Sequence, residues 1–239
     1  MDLPCIIVLS GTVVQPRFQR GIHCRDSDDY MVLASCFKEG NGMVFIEICI
    51  LVGEIVALIL TSIETGWRQF YYYTQLSNYF LTVMTAIHLV TVLRKKPVSE
   101  RLNRYLYTAT CLTTVTFSVV AFVLMPMEGR FYGYMLGTNA LFHHTICPIF
   151  GVALVTMLRP VRRKDAALAL VPTMIYTVIM FIVNLCIPDF GPYTFFKIYD
   201  QPVYMSFVWL FCLLALVYGA ALLMWMLSGK RYRPMYEGQ

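Results

Sequence analysis

The chain of 239 residues is rich in apolar side chains and poor in charged ones. Apolar residues make up 58% of it, charged residues make up 14%, and the mean hydropathy is +0.63. A soluble domain has about 45–50% apolar and about 25% charged residues, so the composition excludes an ordinary soluble protein. At roughly 20 residues for each membrane-spanning helix, the length leaves no room for a sizeable soluble enzyme domain. Any chemistry must therefore lie among the helices.

The sequence contains six apolar stretches that are long enough to cross a membrane as helices. We therefore predict an all-α integral membrane protein, a bundle of six transmembrane helices. The predicted spans are 42–63, 73–93, 105–125, 138–158, 167–187 and 204–227. Residues 1–41 are predicted to form an amino-terminal extension, 42–228 the transmembrane domain, and 229–239 a basic tail.

Basic residues give the predicted orientation. Twelve of the 19 Lys and Arg residues follow the second, fourth and sixth spans. The positive-inside rule places these segments in the cytoplasm, and with six spans both termini are then cytoplasmic. This topology and attraction to anionic headgroups explain a pI of about 8.7, so we expect no nucleic-acid partner. We expect a multi-pass protein of the plasma membrane in a bacterium, or of an endomembrane or the plasma membrane in a eukaryote. The twelve residues are Arg94, Lys95, Lys96, Arg101, Arg104, Arg159, Arg162, Arg163, Lys164, Lys230, Arg231 and Arg233.

Polar side chains within the spans lie close to the predicted outer surface. They are Thr74, Gln75 and Asn78 at the start of the second span, Asn139, His143 and His144 at the start of the fourth, and Asn184 at the end of the fifth. Hydrocarbon offers such groups no hydrogen-bond partner, so each needs a partner or a function. The second, fourth and sixth spans all begin on this outer side. Their three amino termini carry partial positive charge and free N–H groups, which favour an anion or a developing oxyanion there.

The predicted spans contain two charged residues, Glu47 and Glu54, which are seven positions apart and share one face of the first helix. Glu54 lies near the predicted midplane, where an ionised carboxylate costs on the order of 3 kcal/mol. It must be neutral or paired, and a histidine is the expected partner. The eight Cys residues show no disulfide or zinc spacing, and we predict no metal and no cofactor.

Aromatic residues crowd the predicted outer loops. One interpretation is the belt that anchors membrane proteins at the interface. The other is a cover over a lipid-accessible cavity, since the predicted cytoplasmic loops have almost no such rings.

Two polar segments resemble a known family. The Tyr73–Asn78 stretch, YTQLSN, and the Asn139–Pro148 stretch, NALFHHTICP, are similar to the Thr-x-Leu-Ser and His-x4-Pro segments of the androgen-induced-gene family of membrane hydrolases. Residues 191–196, GPYTFF, also resemble the Tyr-Pro-Phe loop of that family and its prokaryotic membrane relatives. The resemblance covers about residues 43–227 in span pattern. It implies a hydrolase of fatty acid esters of hydroxy fatty acids with an intramembrane Thr nucleophile.

The resemblance implies roles for individual residues. Thr74 would be the nucleophile and His143 the base, with His144 as the alternative base. From their positions alone, and not from the resemblance, we expect Asn78 or Asn139 to stabilise the oxyanion and Glu54 to orient His143 or His144. The residues that would line the substrate site are Gln75, Asn184, Tyr193 and Phe195.

Two other functions fit the same residues. A membrane acyltransferase would use the same dyad and pass the acyl group to an alcohol other than water. A proton-coupled transporter would use Glu54 with His143 or His144 as a relay. A fatty-acyl ester from the outer leaflet is the expected partner of the hydrolase.

Overall fold

The computed structural model of the protein describes residues 8–9, 12–13, 28–124, 129, 131–188 and 190–232, and their side chains from Gly42 onward except that of Thr194. The described residues contain six helices that are long and apolar enough to cross a membrane, which confirms the predicted number. They are α1 (Asp28–Thr65), α2 (Tyr73–Leu93), α3 (Glu100–Leu124), α4 (Thr138–Met157), α5 (Arg163–Cys186) and α6 (Val203–Leu227). Parts of the predicted extension, and 233–239 of the predicted tail, lie outside the described residues.

The chain divides into two units, Met1–Phe37 and Lys38–Gln239. In the first unit, β1 (Val8–Leu9) and β2 (Thr12–Val13) form an antiparallel pair in which Val8 lies opposite Val13. The second unit holds the six candidate spans.

Three helices begin at least four residues earlier than the apolar pattern predicted: α1 by fourteen residues, α3 by five and α5 by four. In α3 the Ser99 hydroxyl caps the helix by accepting the N–H of Leu102 at 3.2 Å. In α5 the Asp165 carboxylate accepts the N–H of Arg162 at 2.9 Å. Hydropathy misses these first turns because capping uses polar and charged side chains.

The chain reversals place loops at two ends of the bundle. The loops after α1, α3 and α5 form what we call the aromatic end, and the loops after α2 and α4 with the turn after α6 form what we call the basic end. The central helix is α3: 67% of its most apolar stretch is buried, against 22–39% in the other five. The other helices carry large exposed apolar side chains such as Ile59, Ile87, Ile182 and Phe211, which suit contact with lipid.

α4 is not a regular α-helix. Its Leu141–Ile146 segment is a π-helix, in which the N–H of Cys147 bonds to the carbonyl of Phe142, five residues earlier. Pro148 follows directly, and it has no N–H to donate to the carbonyl four residues before it. The wider turn carries His143 and His144, and such bulges often occur at functional sites.

At the basic end, the turn after α6 attaches to α4. The N–H of Gly229 donates to the carbonyl of Val155 at 3.3 Å, and the N–H of Arg231 donates to that of Thr156 at 2.7 Å. Gly229 has a φ of +71°, and a Cβ there would lie 2.3 Å from Cγ of Pro160. Both its backbone angle and its surroundings require glycine.

We predict that Gly229→Ala destabilises the protein more than Gly66→Ala. Gly66 also has a positive φ, +55°, but a Cβ there would meet no atom within 4 Å. Both variants carry the left-handed backbone penalty of about 1–2 kcal/mol, and Gly229→Ala adds a packing clash of about 1–3 kcal/mol. Thermal unfolding of the detergent-solubilised protein measures the difference. Equal melting temperatures for the two variants would contradict the close packing of the turn after α6 against the end of α4.

Candidate functional site

Two buried carboxylates of α1, those of Glu47 and Glu54, are each paired with a buried imidazole. Glu54 Oε2 lies 2.8 Å from His143 Nδ1 on α4, and Glu47 Oε1 is hydrogen bonded to His88 Nδ1 on α2. Both glutamates are fully buried, and the two histidines are at most 3% exposed. A buried charge is tolerated when it is paired and hydrogen bonded. The structure therefore confirms that Glu54 has a histidine partner; the catalytic role of the pair remains a prediction.

The second ring nitrogen of His143 faces a hydroxyl. His143 Nε2 lies 3.3 Å from Oγ1 of Thr61, which is 3% exposed. The same Oγ1 accepts a hydrogen bond from Asn139 Nδ2 at 3.1 Å, and that Nδ2 also donates to Glu64 at 2.9 Å. We call Glu54, Thr61, Asn139 and His143 the His143 cluster. The sequence interpretation missed Thr61, although it lies seven residues after Glu54 on the same face of α1.

The order of partners favours one tautomer of a neutral His143 ring. With Glu54 ionised, Nδ1–H donates to its carboxylate, so neutral His143 has Nε2 free to accept. The Thr61 hydroxyl then donates to Nε2 while its oxygen accepts from Asn139. This chain of carboxylate, imidazole and hydroxyl is suited to removing a proton from the hydroxyl, and the carboxylate stabilises the imidazolium that forms.

His144 is not part of the His143 cluster. Its Nδ1 donates to the carbonyl of Tyr134 at 2.7 Å, and its buried Nε2 has no hydrogen-bond partner among the described residues. It therefore lacks the carboxylate that His143 has, which favours His143 of the two adjacent histidines as a base.

Thr74 lies in the first turn of α2 and contacts the loop after α5. Its N–H donates to the Tyr193 hydroxyl at 3.4 Å. Burial raises the pKa of Tyr193 to about 12, although hydrogen bonds to the side chain and amide of Thr74 oppose the shift. The hydrogen-bond partners of His143 among the described residues are Glu54 and Thr61. Among the described residues, no hydrogen bond joins Thr74 to His143, and their roles as nucleophile and base remain a prediction.

Two predicted amides on α2 are buried without partners. Asn78 is fully buried, and neither its Oδ1 nor its Nδ2 has a hydrogen-bond partner among the described residues. Gln75, which is 7% exposed, leaves its Oε1 unpaired in the same way. Buried polar groups are normally satisfied, so unpaired ones indicate a place where water or a ligand group binds.

The loop after α5 is fixed by Asn184. Its Nδ2 donates to the carbonyl of Met180 at 2.8 Å, and its Oδ1 accepts the N–H of Gly191 at 2.8 Å. The side chain predicted to line a substrate site is therefore occupied by backbone groups. It positions Tyr193 and Phe195, whose rings stack with centroids 5.2 Å apart.

A small apolar cavity lies beside Thr74, and two larger ones adjoin it. A small cavity of about 30 Å³ is lined by Thr74, Tyr176 and Tyr193. A cavity of about 420 Å³ between α5 and α6 shares Phe195 and Phe196 with it, and one of about 780 Å³ between α2 and α5 shares Tyr73 and Tyr176. The two larger volumes fall in the range of small-molecule sites, and both are lined mainly by apolar side chains.

No family model, no curated protein and no solved structure matches this chain. Among the described residues, no three His, Cys, Asp or Glu side chains converge as metal ligands would.

We predict strong coupling between Glu47 and His88. Removing one partner leaves a buried polar group without its hydrogen bond, whereas removing both avoids that cost. In a double-mutant cycle of Glu47→Ala and His88→Ala, we expect a favourable coupling of about 1–3 kcal/mol. The free energy of unfolding in bicelles gives this value. If the losses in unfolding free energy of the two single variants simply add up in the double variant, the pairing of α1 with α2 is contradicted.

Proposed function

We propose that the protein is an intramembrane lipid ester hydrolase in which His143 is the general base for a threonine nucleophile. The observation that carries the proposal is the buried Glu54–His143 pair with a hydroxyl at the other ring nitrogen. A hydroxyl is a weak nucleophile until a base removes its proton, and the base works best when a third group orients it. The resemblance to the androgen-induced-gene family implies the same reaction and assigns the nucleophile to Thr74.

The cavities support a lipid substrate. Both larger cavities adjoin the one at Thr74 and are lined mainly by side chains such as Phe181, Leu210, Phe80 and Ile179. An acyl chain that enters such a site from the bilayer exchanges one apolar environment for another, so its CH₂ groups are accommodated without a desolvation cost. Fatty-acyl esters, including fatty acid esters of hydroxy fatty acids, are the substrate class that we propose.

The proposed reaction is a two-step acyl transfer. His143 takes the threonine proton at Nε2, and the hydroxyl oxygen attacks the ester carbonyl. The imidazolium then returns its proton to the departing alkoxide, which leaves as an alcohol and gives an acyl-threonine. Water repeats the sequence and releases the acid. Free amide N–H groups such as those of Asn78 would stabilise the oxyanion, at about 3 kcal/mol for one donor.

We further propose that both termini are cytoplasmic and that the substrate enters from the outer leaflet. Basic side chains of the described residues gather at the basic end, where Arg94, Arg159 and Lys230 follow α2, α4 and α6. The positive-inside rule places that end in the cytoplasm. The His143 cluster and Thr74 then lie towards the outer surface, because α2 and α4 begin at the aromatic end.

An acyltransferase with the same residues would differ only in the acceptor, which would be an alcohol instead of water.

Proton-coupled transport is the second candidate, and the Glu47–His88 pair favours it. That pair gives α1 two buried titratable sites separated by two helical turns, an arrangement that a proton relay needs.

We predict that His143→Ala lowers lipid ester hydrolysis by about 100-fold or more and that Glu54→Gln lowers it by at least about 10-fold. Purified full-length protein would be assayed against a panel of lipid esters and labelled with a fluorophosphonate probe. Glu47→Gln is the matched control: it makes the same change on the same face of α1 and leaves His143 untouched, so hydrolysis should persist. If the wild type hydrolyses no ester but carries a Glu54-dependent proton flux in liposomes, the transporter is favoured.

A further inference from the structure

We infer that Thr61 is the hydroxyl that His143 activates, and that Thr61 rather than Thr74 carries the acyl group in the intermediate. This inference rests on the proposed hydrolase function and assigns its nucleophile. The first support is contact: Thr61 Oγ1 lies 3.3 Å from His143 Nε2, whereas the side chain and the amide of Thr74 are hydrogen bonded to Tyr193. The Thr61 distance is slightly longer than an ideal O–H···N bond, as is common for catalytic pairs without substrate.

The second support is the direction of the hydroxyl. Serine and threonine in apolar helices usually donate to a carbonyl three or four residues earlier. The neighbours of Thr61 do so: Ser62 donates to Leu58, and Thr65 donates to the carbonyl of Thr61 itself. Among the described residues, the Thr61 hydroxyl makes no such bond, and its hydrogen-bond partners are the side chains of His143 and Asn139. The hydroxyl of Thr61 is thereby directed at the imidazole and not at the backbone of its own helix.

The third support is the environment of the Thr61 oxygen. Asn139 Nδ2 donates to it at 3.1 Å, so one lone pair is occupied and the proton is directed at His143. An N–H donor also stabilises the negative charge that grows on the oxygen as the proton leaves. Thr74 has a tyrosine hydroxyl as its neighbour, and Tyr193 is kept protonated by burial. Tyr193 is therefore no base for Thr74 at neutral pH.

The bonds balance for this assignment. The Thr61 O–H proton moves to Nε2, and Oγ1 forms a bond to the ester carbonyl carbon. The C–O bond to the alcohol then breaks, and the alkoxide takes the proton from Nε2. Water next gives its proton to Nε2 and its oxygen to the acyl carbon, and Thr61 recovers its proton as the fatty acid leaves. Throughout, Nδ1–H stays hydrogen bonded to Glu54.

The geometry leaves Thr74 a different function. It lines the small cavity that adjoins both larger apolar cavities, and its amide is held by Tyr193. We assign it to substrate binding in the proposed enzyme. Replacing it would then weaken turnover without moving the covalent adduct.

Mapping of a trapped adduct tests the assignment on the wild-type chain. Arg68 is the one basic residue between Thr61 and Thr74, so trypsin separates them into peptides 39–68 and 69–94. Full-length protein would be labelled with a long-chain alkyl fluorophosphonate and digested, and the adduct would be located by mass spectrometry. We expect the adduct on Thr61 in peptide 39–68, and still there in Thr74→Val. An adduct on Thr74 overturns the Thr61 assignment and leaves the hydrolase proposal standing.

Variants provide the second arm. Thr61→Val keeps the shape of the side chain and should lower ester turnover by about 100-fold or more, while Thr61→Ser keeps the hydroxyl and should retain labelling. Thr65→Val is the matched control one turn away, because its hydroxyl bonds to the helix backbone, and it should stay within about 2-fold of wild type. Wild-type labelling and turnover in Thr61→Val would overturn the assignment. A wild type with neither labelling nor turnover would overturn the hydrolase proposal as well.

Discussion

The two buried carboxylate–imidazole pairs on α1 are the interaction on which the arrangement of this bundle depends. Hydrocarbon surrounds the helices, so apolar packing gives α1 little preference for the bundle over lipid. Glu47 and Glu54 change this, because each must keep its partner on α2 or α4. Seven residues separate the glutamates, so the two contacts fix both the rotation and the depth of α1. A one-residue shift would rotate both carboxylates by about 100°, away from their histidines.

Close approach at one glycine supports the same register. A Cβ on Gly53 would lie 3.1 Å from Cys147 Sγ and 3.2 Å from a ring carbon of Phe142. The small residue lets α1 and α4 meet beside the Glu54–His143 pair. The π-helical turn of α4 lies at the same level, so His143 is presented where the backbone of α4 departs from the regular pattern.

The sequence predicted the helices well and the contacts between them less well. Spans could be predicted because the length of an apolar stretch is a property of one segment. The predicted starts of α3 and α5 were too late because Ser99 and Asp165 cap these helices with polar groups. The pairing of Glu54 with a histidine could also be predicted, since a carboxylate at that depth requires a partner. The choice between Thr61 and Thr74 could not, because depth places both near one surface. Only the rotation of α1 against α4 decides which hydroxyl meets His143.

The two pairs on α1 differ in what lies beyond the imidazole. Among the described residues, His88 has Glu47 as its hydrogen-bond partner, and the nearby hydroxyl of Thr85, three residues before His88 on α2, makes no hydrogen bond. His143 has Glu54 on one nitrogen and Thr61 on the other, with Asn139 completing the chain. A carboxylate and an imidazole alone can hold two helices together or exchange a proton. A hydroxyl on the second nitrogen adds an atom that can form a covalent bond once its proton is removed. The Glu47–His88 pair therefore joins α1 to α2, whereas the Glu54–His143 pair joins α1 to α4 and also carries the hydroxyl that the proposed acyl chemistry requires.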